Sequence, residues 1–273
     1  MRAARGSRDV LNVQSFSKAY KGHVAVQGLT CQVNAGEVLA LAGPNGAGKT
    51  TTMRCIAGII PPSEGRLMVG GFDVVEQPVE AKRLLAYVPD DPRLFDALTV
   101  DEHLEFTASA YRVADWKARA QALMERFELV DHRRKVALEL SRGMRQKVAI
   151  CCAYLHEPSL VMLDEPLTGL DPRGIRTMKD TIAERARAGA AVIVSSHLLQ
   201  LVEGLCTKLL ILHQGRLVFV GDFAEARRKF AVEGSADASL EEVFFRATEE
   251  AAAPPSAPPT VSPLAPQKQN GAV

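Results

Sequence analysis

The 273 residues are 47% hydrophobic and 24% charged, enough apolar material for a full core, which excludes a chain disordered throughout. Lys and Arg number 33 against 32 Asp and Glu, a formal charge of +1, so no global field draws the chain to nucleic acid or to an anionic bilayer. The longest apolar runs, such as 190–194 and 209–212, fall far short of the roughly 20 residues that cross a membrane, and the five cysteines lack the spacing of a disulfide framework or a zinc site.

Arg2, Arg5 and Arg8 open the chain with no apolar stretch behind them, so they read as a frayed lead-in rather than a signal peptide. Residues 10–16, 24–33 and 66–69 alternate and carry β-branched side chains between Gly, Pro and Asn, which predicts a small antiparallel layer. Residues 38–42, 160–163 and 190–194 are continuous apolar runs that each lead into a helical pattern, the mark of parallel strands buried on both faces. From about 95 to 156 the pattern is helical. Thr99 and Glu102 form a capping box, and residues 116–130 follow at helical spacing. Ser239 and Glu242 repeat the capping-box pattern before a last helix to Thr248, and residues 249–273, with six of the 15 prolines, read as a disordered tail. The expected fold class is α/β, with a parallel sheet, an antiparallel β layer and an inserted helical subdomain. Its expected bounds are a domain over 1–248, built from a core at about 8–94 and 157–248 with helices at about 95–156.

The most specific signal is Gly43-Pro44-Asn45-Gly46-Ala47-Gly48-Lys49-Thr50, between a buried strand and a helix. Glycines let the backbone curl so that its N–H groups and the helix N-terminus face the β- and γ-phosphates of a nucleotide. Lys49 is placed to reach the terminal phosphates, Thr50 to hold Mg²⁺, and Thr51 to continue the phosphate cradle. The strand 160–163 then delivers Asp164 toward the Mg²⁺ sphere and Glu165 as the general base that orients and deprotonates water, a contribution of about 10²–10⁴ in rate.

With those motifs in place, Leu140-Ser141-Arg142-Gly143-Met144-Arg145-Gln146 resembles the signature Leu-Ser-Gly-Gly-Gln of the ABC ATPase family, and the resemblance runs from about Val10 to Thr248. It implies ATP and Mg²⁺ as ligands, with the nucleotide held between the phosphate loop of one subunit and the signature of another. Ser141 offers a hydroxyl and Gly143 close backbone approach, ahead of a helical run at 146–155. The resemblance also implies that Tyr20 stacks on adenine, that Leu170-Asp171 is the loop between subunits, and that His197 in Ser195-Ser196-His197 contacts the γ-phosphate. Asp171-Pro172 is in addition a good helix start.

Three positions depart from the family pattern. Asp90 stands where many members carry a metal-binding Gln, Arg142 replaces Gly, and Met144 replaces Gln in the signature. A carboxylate at Asp90 still binds Mg²⁺ through oxygen. These variants resemble those of single-domain ATPases that serve separately encoded permeases, often ABC-2-like exporters. The resemblance implies a transport ATPase, a second ATPase subunit in a homodimer or heterodimer, integral-membrane permease subunits, no nucleic acid, and a cytoplasmic place on the inner face of the cell membrane. The alternative is an ATPase of the same family acting on ribosome or nucleic acid. It lacks support from a basic footprint, from tandem domains or from a long coiled-coil insertion. A nucleotide sensor with little turnover is disfavoured by Glu165.

Overall fold

The apolar runs and their punctuation become two sheets in the computed structural model, which describes residues 9–196, 199–230 and 239–252. In chain order come β1 (Asp9–Tyr20), β2 (His23–Asn34), β3 (Val38–Ala42), α1 (Lys49–Ile56), β4 (Glu64–Val69), β5 (Phe72–Asp73), α2 (Pro78–Arg83) and β6 (Leu85–Val88). Then follow α3 (Val100–Tyr111), α4 (Trp116–Arg126), α5 (Arg142–Leu155), β7 (Leu160–Asp164), α6 (Pro172–Arg187) and β8 (Ala191–Ser195). The chain continues through α7 (Leu199–Glu203), β9 (Lys208–His213), β10 (Arg216–Gly221), α8 (Phe223–Phe230) and α9 (Leu240–Ala252). One sheet is antiparallel with order β2-β1-β4-β5, and the other has order β10-β9-β3-β8-β7-β6. In the second sheet all pairs are parallel except β9 with β10.

Alternation along the central strands divides the core. Val38, Ala40, Ala42, Val161, Leu163, Val192 and Val194 point to one face, packed with Leu104, Val148, Leu155 and Ile182 from the helices. Leu39, Leu41, Leu160, Met162 and Ile193 point to the other, against Leu11, Val13, Phe16 and Leu29 of the antiparallel sheet and Met53 of α1. Successive strand side chains face opposite ways, so a strand covered on both sides must be apolar along its length, as β3 is throughout and β7 and β8 are up to their last residues, Asp164 and Ser195.

The helical segment starts as its caps dictate. Thr99 accepts from the Glu102 amide at 3.2 Å, while the Glu102 carboxylate accepts from the Thr99 amide at 2.7 Å. The helix predicted over 116–130 stops at Arg126, because Glu128 turns the backbone left-handed at φ 58°. The run predicted from Gln146 starts earlier: Ser141 accepts from the Met144 amide and α5 begins at Arg142, inside the signature. At the C-terminal end the Ser239–Glu242 box is formed, and α9 continues to Ala252, which corrects the expected start of a disordered tail at 249. The remainder of that expected tail, and the arginines 2, 5 and 8, lie outside the described residues.

His156 caps α5 and ties it to its neighbours. Its ring stacks on Tyr111 with centroids 3.7 Å apart, and its Nε2 lies 3.3 Å from the Leu85 carbonyl. Burial, reinforced by the charge of Arg185, holds its pKa below the ordinary 6.5. The unfolded chain therefore takes up the proton more readily than the folded one. This contribution to stability is complete above about pH 6.5 and is lost as the pH falls from there toward the lower folded value. Thermal unfolding measured between pH 7.5 and 5.5 is expected to show a falling midpoint, and His156→Gln to flatten that slope.

Candidate nucleotide site

The phosphate loop 43–50 leaves β3 at the C-terminal edge of the parallel sheet and enters α1, with Gly48 as the helix N-cap at φ 104°. Two contacts require glycine there. A Cβ on Gly48 would lie 2.6 Å from the Ala25 carbonyl oxygen and 2.9 Å from Val26 Cγ2, and one on Gly43 would lie 2.5 Å from the Leu212 carbonyl oxygen. The loop is also hydrogen-bonded to the β9–β10 turn, where the Gly215 amide donates to the Ala47 carbonyl at 3.1 Å and the Gly215 carbonyl accepts from the Gln27 amide at 2.8 Å. Loop, antiparallel sheet and parallel sheet thus meet at one junction.

Lys49 is buried and curls over its own loop, donating to the Gly43 carbonyl at 2.6 Å and the Pro44 carbonyl at 3.2 Å. Burial pushes its ammonium pKa down, while the charges of Glu165 and Asp164 oppose that shift. Thr50 Oγ1 donates to Asp164 Oδ2 at 2.9 Å, and Tyr87 OH donates to the same oxygen at 3.3 Å. The Tyr87 phenol is pushed up to about 12 by burial and then by the Asp164 charge. The other Asp164 oxygen accepts from the Ser195 hydroxyl. Ser195 in turn accepts the Glu165 amide on both Oγ and its carbonyl oxygen, each at 3.1 Å, where Glu165 adopts φ 50°. Non-glycine residues seldom hold that backbone, so the Ser195 contacts account for its persistence.

A cavity of about 400 Å³ opens over these groups, lined by Tyr20, Asn45, Gly46, Ala47, Gly48, Lys49, Thr50, Thr51, Asp90, Asp164 and Glu165, together with His23 and Ala25. Tyr20 and His23 face each other across the hairpin joining β1 to β2, and Tyr20 is 47% exposed, with Lys18 Nζ over its ring at 5.2 Å from the centroid. His23 carries no motif, and Ser195, within Ser195-Ser196-His197, carries no role of its own in the sequence. A tight Lys21-Gly22 turn after Tyr20 was the available signal for His23, whereas the role of Ser195 depends on β7 and β8 lying side by side.

Ser141 and Gly143 are not brought to this cavity. They sit at the start of α5, where a Cβ on Gly143 would lie 3.1 Å from the Gly169 carbonyl oxygen, so the signature packs against the turn before Asp171. Asp171 caps α6 by accepting from the Gly174 amide at 2.9 Å. His197 lies outside the described residues. The oxygen donors of Thr50, Asp164 and Asp90 suit a hard divalent cation such as Mg²⁺. Among the described residues no cluster of three or more His, Cys, Asp or Glu has metal-ligating geometry, and a Mg²⁺ that keeps waters and shares substrate phosphates does not require one.

Residues 26–168 match the family described as ABC transporter. The chain belongs to the ABC transporter ATP-binding family. Over 243 residues it is 34% identical to the ABC-type transporter ATP-binding protein EcsA of Bacillus subtilis, covering 88% of this chain and 97% of EcsA. It is 33% identical over 221 residues to the SkfA peptide export ATP-binding protein SkfE of the same organism, covering 79% of this chain and 92% of SkfE. A solved ATP-binding subunit of an ABC transporter superposes with a TM-score of 0.83 at 36% identity, over 88% of this chain and 99% of that one. As an ABC ATP-binding chain it has the family's mixed α/β fold, and the family hydrolyses ATP in transport.

Proposed function

We propose that this ABC ATP-binding chain is the ATP-hydrolysing subunit of a transporter whose channel is a separate integral-membrane permease, held at the cytoplasmic face. The observation that carries the proposal is the meeting of Lys49, Thr50, Asp164 and Glu165 around one cavity with a curled phosphate loop as its floor. ATP entering that cavity draws Lys49 off the Gly43 and Pro44 carbonyls onto its terminal phosphates, while the loop amides hold the β-phosphate. Thr50, Asp164 and Asp90 would hold Mg²⁺, which neutralises phosphate charge when bound. Glu165, fixed by Ser195, orients the attacking water and takes its proton. Tyr20 stacks on the adenine, and His197 is assigned to the γ-phosphate from its sequence position. Ser141 and Gly143, away from this cavity, serve the nucleotide of a second ATPase subunit.

The direction of transport is read as export, in keeping with the SkfE likeness and the sequence departures. The permease is assigned to an apolar groove of about 410 Å³ at the seam of α3, α5 and the loop after β6, lined by Ile59, Pro92, Leu94, Phe95, Phe106 and Tyr111. Phe95 and Phe106 are more than half exposed and meet edge to face at 5.2 Å between centroids. Such a pair invites an apolar segment of a partner. Co-purification with a coexpressed permease tests this: the unsubstituted chain is expected to be retained, and Phe106→Asp to lower retention about tenfold or more while ATP binding persists. Equal retention of the two would remove the groove from the proposal.

A further inference from the structure

Two of the three departures from the ABC pattern touch each other. Arg142 Nη2 donates to Asp90 Oδ1 at 2.8 Å, across 52 residues of sequence. Asp90, in the loop after β6, lines the nucleotide cavity together with Asp164 and Glu165; Arg142, the first residue of α5, is not among the lining residues. The first turn of α5 holds no acidic residue, so Arg142 adds its charge to a helix end that is already partially positive, and Asp90 supplies the opposing charge. The one carboxylate therefore faces a guanidinium on one side and the cation-binding cavity on the other.

We infer that Arg142 and the divalent cation of the bound nucleotide compete for Asp90, so that loading one cavity with metal and nucleotide releases the start of the signature helix. The inference rests on the ATP-site reading above and makes Arg142 a positioning residue that acts through Asp90. A carboxylate that turns toward the metal loses its guanidinium partner, and the freed Arg142 leaves the end of α5 more positive than before. Both side chains are 49% exposed, so the competition is modest: an exposed pair shifts an equilibrium by up to about fivefold.

The test is Mg²⁺ titration of the binding of trinitrophenyl-ATP, a fluorescent analogue, to the full chain carrying Glu165→Gln to suppress turnover. Removing the competitor with Arg142→Gln is expected to lower the half-saturating Mg²⁺ concentration about two- to fivefold, and Arg142→Lys to keep it near the unsubstituted value. Asp90→Asn is expected to raise that concentration and to make a second Arg142→Gln substitution silent. An unchanged midpoint in Arg142→Gln overturns the competition. So does a shift of equal size in the Asp90→Asn background, which would mean that Arg142 acts on the nucleotide without Asp90. If the chain without either substitution binds no analogue at any Mg²⁺ concentration, the ATP-site reading fails and takes this inference with it; binding that responds to Mg²⁺ but not to Arg142 overturns the inference alone.

Discussion

Replacing Glu165 by glutamine is expected to slow steady-state phosphate release by about 10²–10⁴ while leaving ATP binding in place. The substitution is close to isosteric, and the backbone amide at this position keeps both contacts to Ser195, at 3.1 Å to each oxygen, so the left-handed turn at φ 50° persists. What disappears is the capacity to accept a proton from water. Blocked after binding, the substituted chain is expected to accumulate as an ATP-dependent dimer, read by light scattering beside phosphate release from the unsubstituted protein. A rate within a few fold of the unsubstituted value would place the base elsewhere. A slow rate without dimer would point to an asymmetric partner chain, which mixing with candidate partners then tests.

The second large effect is expected from a single methyl group. Gly48→Ala forces an alanine into φ 104° and drives its Cβ to within 2.6 Å of the Ala25 carbonyl oxygen, a backbone atom that cannot swing aside. The backbone term alone costs about 1–3 kcal/mol. Relief of the clash must come from the loop moving off β2, which also shifts Lys49 and Thr50, the next two residues. The thermal midpoint is expected to fall by several degrees, and ATP binding to drop by far more than the stability loss explains. Gly71→Ala is the control: it shares a positive φ, at 87°, but has no heavy atom within 4 Å of its Cβ position and lies outside the cavity lining. Circular dichroism melts together with nucleotide binding on both variants separate strain from steric displacement. Equal binding losses in the two would remove the contact with Ala25 from the explanation.

Signals local in sequence translated well into structure. The glycine spacing of residues 43–50, the apolar strand ahead of Asp164, and the caps at Thr99, Asp171 and Ser239 each depend on neighbours within a few positions, and each is found in the fold. Strand ends moved by one to four residues: the run at 10–16 became Asp9–Tyr20 and that at 190–194 became Ala191–Ser195, because pairing with neighbouring strands decides where a strand stops. Three features were not legible. Lys208–His213 reads as an apolar run, but its place beside β3 is a long-range choice. The Ser195 hydroxyl joins Asp164 to Glu165 only because β7 and β8 are neighbours. The Asp90–Arg142 pair looks, in sequence, like two unrelated departures from a pattern.

The Ala25 carbonyl has a consequence of its own. Gly48 and Gly215 both crowd it, with Cβ positions 2.6 and 2.7 Å away, and the hairpin that carries Tyr20 and His23 leads directly into the strand that bears it. The hairpin end of the cavity and its glycine-loop end are therefore mounted on one pivot, like the two jaws of a caliper joined at a backbone carbonyl. On the proposed ATP reading, adenosine lies at one jaw and triphosphate at the other, and backbone contacts hold the two jaws in register.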